Sequence, residues 1–352
     1  MLTYVIFYIS IFILSVINLN SKNKVFLYFL SAVIIIIFSA FRYEIGADTP
    51  TYMIVYNDLN HGDTTLSDYM EPGYVFLNHF FSKLGCSYVY LQATCFIITF
   101  TFLCLFITKT IPPNLRIISL VVFCSSGFYI VYCLSGIRQG VAIAVALYSF
   151  KYILRRQFSK FILILIFGSL FHISILFFIP AYWFPTKKFR FYVILIAFVV
   201  AYLFAPFVNF LFKLILSGIT GHYGSYASTY GDLANQNSGL GIIVRLIIWS
   251  FIAFTACESL PAEDKKSILI FNLYIFGVML YLFNRQTDIL NRFNEYYLSF
   301  IIPLIPLSIK RFDLYSKVIY WSFISFLLSV LYITTILFEA KSFIPYRSYL
   351  SL

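Results

Sequence analysis

Five arginines occur at or near the ends of long apolar segments: Arg42, Arg138, Arg245, Arg285 and Arg292. An arginine within a membrane segment costs a few kcal/mol on insertion scales, so it usually faces a cavity or a partner rather than lipid. Each one alone could snorkel to lipid headgroups or pair with Asp48, Asp288 or Glu295. Guanidinium groups hold phosphate through paired, planar hydrogen bonds. Five arginines on one side of a membrane therefore favour an anion site that suits a diphosphate.

The stretch "CLSGIRQGVAIAVALYSF", residues 133–150, places Arg138 and Gln139 at the head of an apolar run. The small residues that follow allow neighbouring helices to approach closely: Gly140, Ala142, Ala144 and Ala146. A tightly packed helix start would hold Arg138 in place, and the positive end of the helix dipole also favours phosphate.

His172, in the stretch "GSLFHISILFFIP", could move a proton. Near neutral pH an ordinary imidazole accepts or donates a proton, which makes His172 a candidate general base for a sugar hydroxyl. The alternative is a structural role, in which His172 bonds open carbonyls and amides at a break in a helix. The sequence leaves both roles open.

Asp48 is a second candidate base, in the stretch "FRYEIGADTPTYMIVYND". Arg42, Glu44 and Asp48 lie close together there, and Gly46 and Pro50 argue against a regular helix across them. Either the stretch is an ion-paired, capped loop, or one of its acids orients or deprotonates an acceptor hydroxyl.

The stretch "RQTDILNRFNEYY" carries alternating charges at spacings of three, four and three: Arg285, Asp288, Arg292 and Glu295. On a helix these side chains would form a ladder of opposite charges. The ladder either fastens helix ends together, or its arginines complete a phosphate clamp while an acid aligns them.

Several motifs are missing, and this narrows the chemistry. The chain has no Walker loop, no Gly-x-Gly-x-x-Gly and no Asp-x-Asp that would hold a metal with a nucleotide sugar. Its six cysteines form no Cys-x-x-Cys or Cys/His cluster. We therefore expect neither a metal nor a cofactor. We read the net charge of +11 mainly as a record of membrane topology rather than of a nucleic-acid partner.

The elements that must position these residues are membrane helices. Of the 352 residues 61% are hydrophobic and only 11% are charged, which is typical of a polytopic all-α membrane protein. The first 19 residues lack a basic start and a small-residue cleavage site, so they indicate a retained span. The predicted spans lie near 2–19, 25–41, 88–108, 117–134, 138–153, 190–212, 241–257, 267–284, 293–309 and 318–337.

Residues 160–184 are either one long span or a broken hairpin, and the positive-inside rule favours the hairpin, with a break near Gly168–His172. The hairpin places 16 of the 25 lysines and arginines on the cytoplasmic side. It gives about twelve helical segments with both termini outside. Since broken backbone at membrane depth survives only inside protein or along a cavity, the break needs shelter from lipid. We predict one integral domain over residues 1–352, with outer loops near 42–87 and 214–241.

Several elements together resemble the EpsG family of polysaccharide polymerases, which is similar to the Wzy O-antigen polymerases. An Arg-x-x-x-Gly-x-Asp-x-x-x-Tyr pattern runs from Arg42 through Gly46 and Asp48 to Tyr52. Glu-Pro, Ser-Gly-Ile-Arg-Gln-Gly, Phe-His-x-Ser and Arg-Phe-x-x-Tyr elements follow it. The resemblance spans most of the chain, and its most specific parts are Arg42–Tyr52 and Ser135–Gly140.

The resemblance implies a membrane glycosyltransferase with a GT-C-like helical architecture at the outer face of the bacterial inner membrane. A growing glycan would leave its undecaprenyl diphosphate and pass to a hydroxyl of the next lipid-linked repeat unit. A chain-length regulator and a flippase would be its partners. The product would be an O-antigen, a capsule or an exopolysaccharide.

The resemblance also suggests roles for residues. Arg138 would be the main diphosphate contact, with Gln139 beside it and Arg42 and Arg292 assisting. The remaining predicted substrate-binding residues are Arg245, Arg285, Tyr52 and Glu295. Asp48 and His172 compete for the role of catalytic base.

Two other functions fit many of the same features. A flippase for lipid-linked sugars would also have about twelve spans and internal arginines, but no convincing repeat relates the two halves of this chain. A ligase or acyltransferase that modifies surface glycans could share an outer histidine and arginine.

Overall fold

A computed structural model of the chain describes residues 1–61, 70–217, 239–284 and 288–351. These residues form helices and no strand, apart from one isolated antiparallel bridge between Arg42 and Ser348. The chain divides into two compact units, Met1–Tyr182 with Ile305–Leu352, and Trp183–Leu304. The single integral domain that the sequence suggests stays a prediction.

The helices up to residue 183 are α1 (Leu2–Asn20), α2 (Lys24–Ala40), α3 (Thr49–Asn60), α4 (Pro72–Lys83), α5 (Tyr88–Thr110), α6 (Arg116–Ser125), a π-helix (Phe128–Cys133), α7 (Ile137–Leu154), α8 (Phe158–Ser169) and a 3₁₀ helix (Ile173–Trp183). The later helices are α9 (Phe191–Ser217), α10 (Gly239–Ser259), α11 (Lys265–Asn284), α12 (Asp288–Leu298), α13 (Ile301–Ser308), α14 (Leu314–Phe338) and α15 (Ala340–Phe343).

Among the described residues, seven helices are long and apolar enough to cross a membrane: α1, α5, α7, α9, α10, α11 and α14. Four shorter apolar helices accompany them, including α2, α8 and the 3₁₀ helix. Helices suit a bilayer because all of their backbone groups are bonded within the segment. The chain is therefore a multi-pass membrane protein, although these helices do not by themselves give the predicted twelve segments.

Helix α1 shows how one span divides between protein and lipid. Its buried stripe follows helical spacing through Tyr4, Tyr8, Ile11 and Ser15. The opposite face exposes Ile6, Ile9, Ile13 and Ile17. Two polar groups of the stripe are bonded to α14, where Trp321 Nε1 donates to Ser15 Oγ at 2.8 Å. The Tyr8 hydroxyl donates to the Ser325 carbonyl, also at 2.8 Å.

The helices within two of the predicted spans are interrupted. Within the predicted span 117–134, the α-helix ends at Ser125. The Ser125 and Ser126 hydroxyls donate to carbonyls of the preceding turn, and the Ser126 backbone is extended. The span at 293–309 divides between α12 and α13. Pro303 has no N–H to offer the Ser299 carbonyl, which accounts for the interruption there.

The predicted broken hairpin is present. Helix α8 ends at Ser169, and the 3₁₀ helix begins at Ile173 after a short break. The two arms run back along each other, since the Phe158 and Tyr182 rings lie 5.0 Å apart and the Phe161 and Phe178 rings 6.2 Å apart. The break therefore joins two antiparallel arms.

Two helices that the sequence did not predict lie among the described residues of the first predicted outer loop, 42–87. Helices α3 and α4 both carry a proline in their first turn, at Pro50 and Pro72. Proline is favoured at this position because the first turn has no intrahelical use for its N–H. The second predicted outer loop, 214–241, lies mostly outside the described residues.

The residues that follow α14 lie against residues 41–48, which we call the Arg42 loop. Backbone N–H groups of Tyr43 and Gly46 donate to the Arg347 and Ser342 carbonyls, each at 3.0 Å. The Tyr349 N–H donates to Phe41 O at 2.8 Å. We call residues 340–351 the C-terminal segment. It closes one side of the Arg42 loop by main-chain bonds.

Candidate functional site

Arg138 lies in the first turn of α7, and close packing holds the start of this helix. A Cβ atom on Gly140 would come within 2.6 Å of the Tyr132 carbonyl oxygen. Only glycine therefore allows α7 to begin so near the preceding π-helix. Ala142, Ala144 and Ala146 are fully buried, as the small residues of this stretch predicted.

The Arg138 guanidinium is bound on several sides. Its Nη1 donates to Glu71 Oε2, and its Nε donates to the Tyr52 hydroxyl at 3.4 Å. The guanidinium carbon lies 5.6 Å from the centre of the Tyr52 ring and 5.7 Å from that of Tyr74, within the range of cation–π attraction. The Arg138 side chain still keeps 20% of its surface exposed. A substrate could therefore reach it.

Glu71 precedes α4 and uses both of its carboxylate oxygens. One oxygen binds Arg138, and the other accepts the Ile173 N–H at 3.2 Å. A second bond joins the same two places, because the Gly73 N–H donates to the Leu170 carbonyl at 2.8 Å. The start of α4 is thus fastened to the break of the hairpin. Glu71 thereby accepts the Ile173 N–H, a backbone donor for which a break in a helix provides no intrahelical acceptor.

His172 lies at this break, where the sequence predicted it. Its Nδ1 lies 3.5 Å from Glu71 Oε1 and 3.0 Å from Ser174 Oγ. The Ser174 N–H donates to the same nitrogen at 3.3 Å. The Glu71 carboxylate therefore lies between Arg138 and His172, and these three side chains form what we call the Glu71 cluster.

Asp48 lies beside the turn that leads into α7. Its N–H donates to Ser135 Oγ at 3.0 Å. A Cβ atom on Gly136 would lie 3.5 Å from Asp48 Oδ2, so the carboxylate faces the residue two positions before Arg138. Burial and the nearby Asp48 charge raise the pKa of Glu339 above its usual range. A second acid thus lies close to Asp48.

Arg42 is fully buried and does not lie on the exposed side of this turn. Its Nε donates to the Leu134 carbonyl at 3.1 Å, and its Nη1 donates to the Ser39 carbonyl at 2.6 Å. Gln92 supports the same place, with its Nε2 2.8 Å from the Arg42 carbonyl oxygen. In this arrangement Arg42 holds the turn before α7 from its buried side. Its predicted contact with substrate stays a prediction.

The other predicted substrate-binding residues lie in α7, in the second compact unit or outside the described residues. Gln139 is buried in α7 next to Arg138. In the unit Trp183–Leu304, Arg245 donates to the Tyr281 hydroxyl at 3.2 Å, Arg292 is exposed, and Glu295 accepts from Ser299 Oγ at 3.1 Å. Arg285 lies outside the described residues. The structure thus brings together Arg138, Tyr52 and His172, and the convergence of all five arginines stays a prediction.

Glu71 and Tyr74 belong to this site, although the sequence did not predict them there. Glu71 lies in the Glu-Pro element of the resemblance, which implies no role for it. An acid before a first-turn proline is a recognisable helix start, and it could have marked Glu71 as an ordered residue. No sequence spacing could pair it with Arg138, which lies 67 positions away.

No group of three histidine, cysteine, aspartate or glutamate side chains in the described parts of the chain is arranged to hold a metal ion. The chemistry that these residues can offer is a guanidinium for an anion, an imidazole for a proton, and carboxylates that orient both.

Comparison with known protein families gives a match over nearly the whole chain. The family model described as the EpsG family matches residues 25–348, nearly the whole chain. This range contains every residue of the Glu71 cluster. No curated protein and no solved structure matches the chain.

Proposed function

The chain belongs to the EpsG family, whose proteins are Wzy-type polymerases, and on this premise we propose a specific reaction for it. The protein elongates a surface polysaccharide by joining oligosaccharide repeat units that are linked to undecaprenyl diphosphate. It works at the outer face of the bacterial inner membrane, through about twelve segments in a GT-C-like architecture. A flippase would deliver the units, and a chain-length regulator would limit the product.

The observation that carries this proposal is the setting of Arg138. It is partly exposed, it lies at the positive end of a helix, and its ring neighbours hold it on one side. A diphosphate leaving group gains negative charge in the transition state. A guanidinium already in position lowers that barrier without having to reorganise.

The reaction assigns a role to each predicted residue. An acceptor hydroxyl attacks the anomeric carbon of the donor, and the bond to the diphosphate breaks. Arg138 and Gln139 hold the leaving diphosphate, and either Asp48 or His172 takes the hydroxyl proton. Other predicted residues assist at the sugars or phosphates: Arg42, Tyr52, Arg245, Arg285, Arg292 and Glu295.

Arg138→Lys tests the proposal. Lysine keeps the charge but loses the paired, planar geometry, so a deletion strain complemented with this variant should lose its long glycan chains. The readout is a gel of surface polysaccharide, together with an immunoblot for the inserted protein. Arg156→Lys is the matched control, because Arg156 is exposed and donates to the Tyr182 carbonyl.

The outcomes separate the alternatives. A single repeat unit left on the carrier or on lipid A supports a polymerase. A loss of lipid-linked units from the outer leaflet would point to a flippase instead. Complete polymer that fails to reach its final acceptor would point to a ligase. A normal ladder in the deletion strain would end the proposal.

A further inference from the structure

Glu71 lies between the residue proposed to bind the leaving diphosphate and a residue proposed to take the hydroxyl proton. Its Oε2 accepts from Arg138, the proposed diphosphate contact, while its Oε1 lies 3.5 Å from Nδ1 of His172, a candidate base. The carboxylate is therefore within reach of both partners. The Ile173 and Gly73 bonds to the hairpin break hold the start of α4.

The hydrogen bonds of His172 show why the second contact matters. Its Nδ1 accepts the Ser174 N–H, so in that state Nδ1 carries a lone pair and a neutral ring holds its proton on Nε2. A ring in this state cannot take a hydroxyl proton at Nε2. For Nε2 to act as a base, the ring proton must lie on Nδ1. The nearby carboxylate acceptor that would stabilise an Nδ1–H is Glu71.

As long as no substrate is present, Arg138 competes with His172 for the Glu71 carboxylate. Its charge is then paired with Arg138, and a carboxylate paired with a guanidinium attracts a second proton donor less strongly. A diphosphate carries more negative charge than one carboxylate and matches the guanidinium geometry. Its binding would draw Arg138 away from Glu71 and leave the carboxylate to His172.

We propose that Glu71 is a positioning residue that couples the two substrates: donor diphosphate binding at Arg138 releases its carboxylate to orient His172 as the base for the acceptor hydroxyl. This inference rests on the proposed function, and it selects His172 over Asp48. The hydroxyl proton passes to His172 Nε2 while the hydroxyl oxygen bonds the anomeric carbon. The bond from that carbon to the diphosphate breaks, and its electron pair leaves with undecaprenyl diphosphate. The base for the acceptor hydroxyl is therefore in place only when a donor is bound.

Glu71→Gln tests the coupling with the full-length protein in lipid nanodiscs. Glutamine keeps the size and an oxygen for the Ile173 N–H, but it removes the charge. Undecaprenyl diphosphate without sugar serves as the binding probe. We expect it to bind about three- to tenfold more tightly, because Arg138 loses its competitor. Elongation of lipid-linked units at saturating donor should fall at least about 100-fold, since a positioned base contributes that much.

The opposite directions of the two effects distinguish coupling from a structural role. A variant that merely loosens the site would weaken binding and elongation together, and this result would overturn the inference. Unchanged elongation would overturn it as well. Glu263→Gln is the matched control, because Glu263 is exposed and has no role in the proposed reaction, and neither readout should change.

His172→Gln provides a second measurement if Glu71→Gln inserts poorly. It should lose elongation to the same extent while its affinity for undecaprenyl diphosphate stays within about twofold of the wild type, because His172 does not compete for Arg138. A large loss of affinity in this variant would contradict the assignment. Failure of the proposed function is separate. In that case the wild-type protein itself would not elongate lipid-linked units, whatever the affinities show.

Discussion

Gly46→Ala should displace the turn before Arg138 without touching any proposed substrate contact. Gly46 adopts φ +109°, a conformation that residues with a side chain rarely adopt. A Cβ atom there would lie 2.2 Å from the Leu134 carbonyl oxygen and 2.8 Å from Ser135 Cα. Both neighbours are backbone atoms, so no side chain can rotate out of the way. Arg138 follows only three positions after Ser135.

The geometry gives the size of the effect. Ordinary contact begins near 3.4 Å, so a methyl group 2.2 Å from the Leu134 oxygen requires a retreat of at least about 1.2 Å. Backbone strain costs about 1–3 kcal/mol, and forcing the packed turn apart adds about 1–3 kcal/mol. A misplacement of about 1 Å can reduce catalysis about 100-fold. We therefore expect clear destabilisation and almost no long polymer.

Gly85→Ala is the matched control, because Gly85 also has a positive φ, +67°, but no atom lies within 4 Å of its added Cβ. It should lose about 1–2 kcal/mol through strain alone and should keep elongation. The assays are thermal unfolding in detergent and the elongation rate of lipid-linked units in membranes. If Gly46→Ala behaved like Gly85→Ala in both assays, the turn would not be what positions Arg138.

Two further predictions concern stability. In the wild type, Gln92 Nε2 donates to the carbonyls of Ala40 and Arg42 at 3.1 and 2.8 Å. Gln92→Leu leaves both carbonyls without this donor, so the free energy of unfolding should fall by about 2–4 kcal/mol. An unchanged melting temperature in detergent would contradict this. Glu339 has a raised pKa in the folded protein, so its contribution to stability is complete below its usual pKa of 4.5 and is lost as the pH rises through the folded value. The melting temperature of the wild type should therefore fall as the pH rises above 4.5. Glu339→Gln should make this fall smaller, and Asp48→Asn should reduce it in part. An unaltered pH profile in both variants would show that Glu339 and Asp48 do not interact.

Much of the scaffold could be predicted because membrane insertion leaves a strong record in the sequence. The distribution of lysines and arginines distinguished a hairpin from a single span at 160–184, and the hairpin breaks at the predicted place beside His172. The small residues after Arg138 likewise predicted a closely packed α7. Sequence records these features because each depends on local composition and on one partition between water and lipid.

The partners of Arg138 could not be predicted in the same way. Glu71 meets Arg138 and His172 only because α4 is bonded to the hairpin break, and that meeting depends on packing rather than on spacing. The burial of Arg42 could not be predicted either. Arg42 lies near a span end, and in the structure its Nε and Nη1 donate to backbone carbonyls. A buried arginine and a partly exposed one look alike in sequence when both lie beside an apolar helix.

The bonds between the Arg42 loop and the C-terminal segment join parts of the chain that are synthesised far apart in time. Tyr346 bonds the Phe38 carbonyl across 308 positions of the chain, and Ser348 bonds that of Phe41 across 307. At about 5–20 residues per second, the ribosome takes about 15–60 s to make the residues between them. Throughout that time the Arg42 loop lacks the main-chain partners that close it. A nascent chain that has not yet reached residues 340–351 therefore lacks these bonds, and we expect the Arg42 loop to become ordered only after that segment has been made.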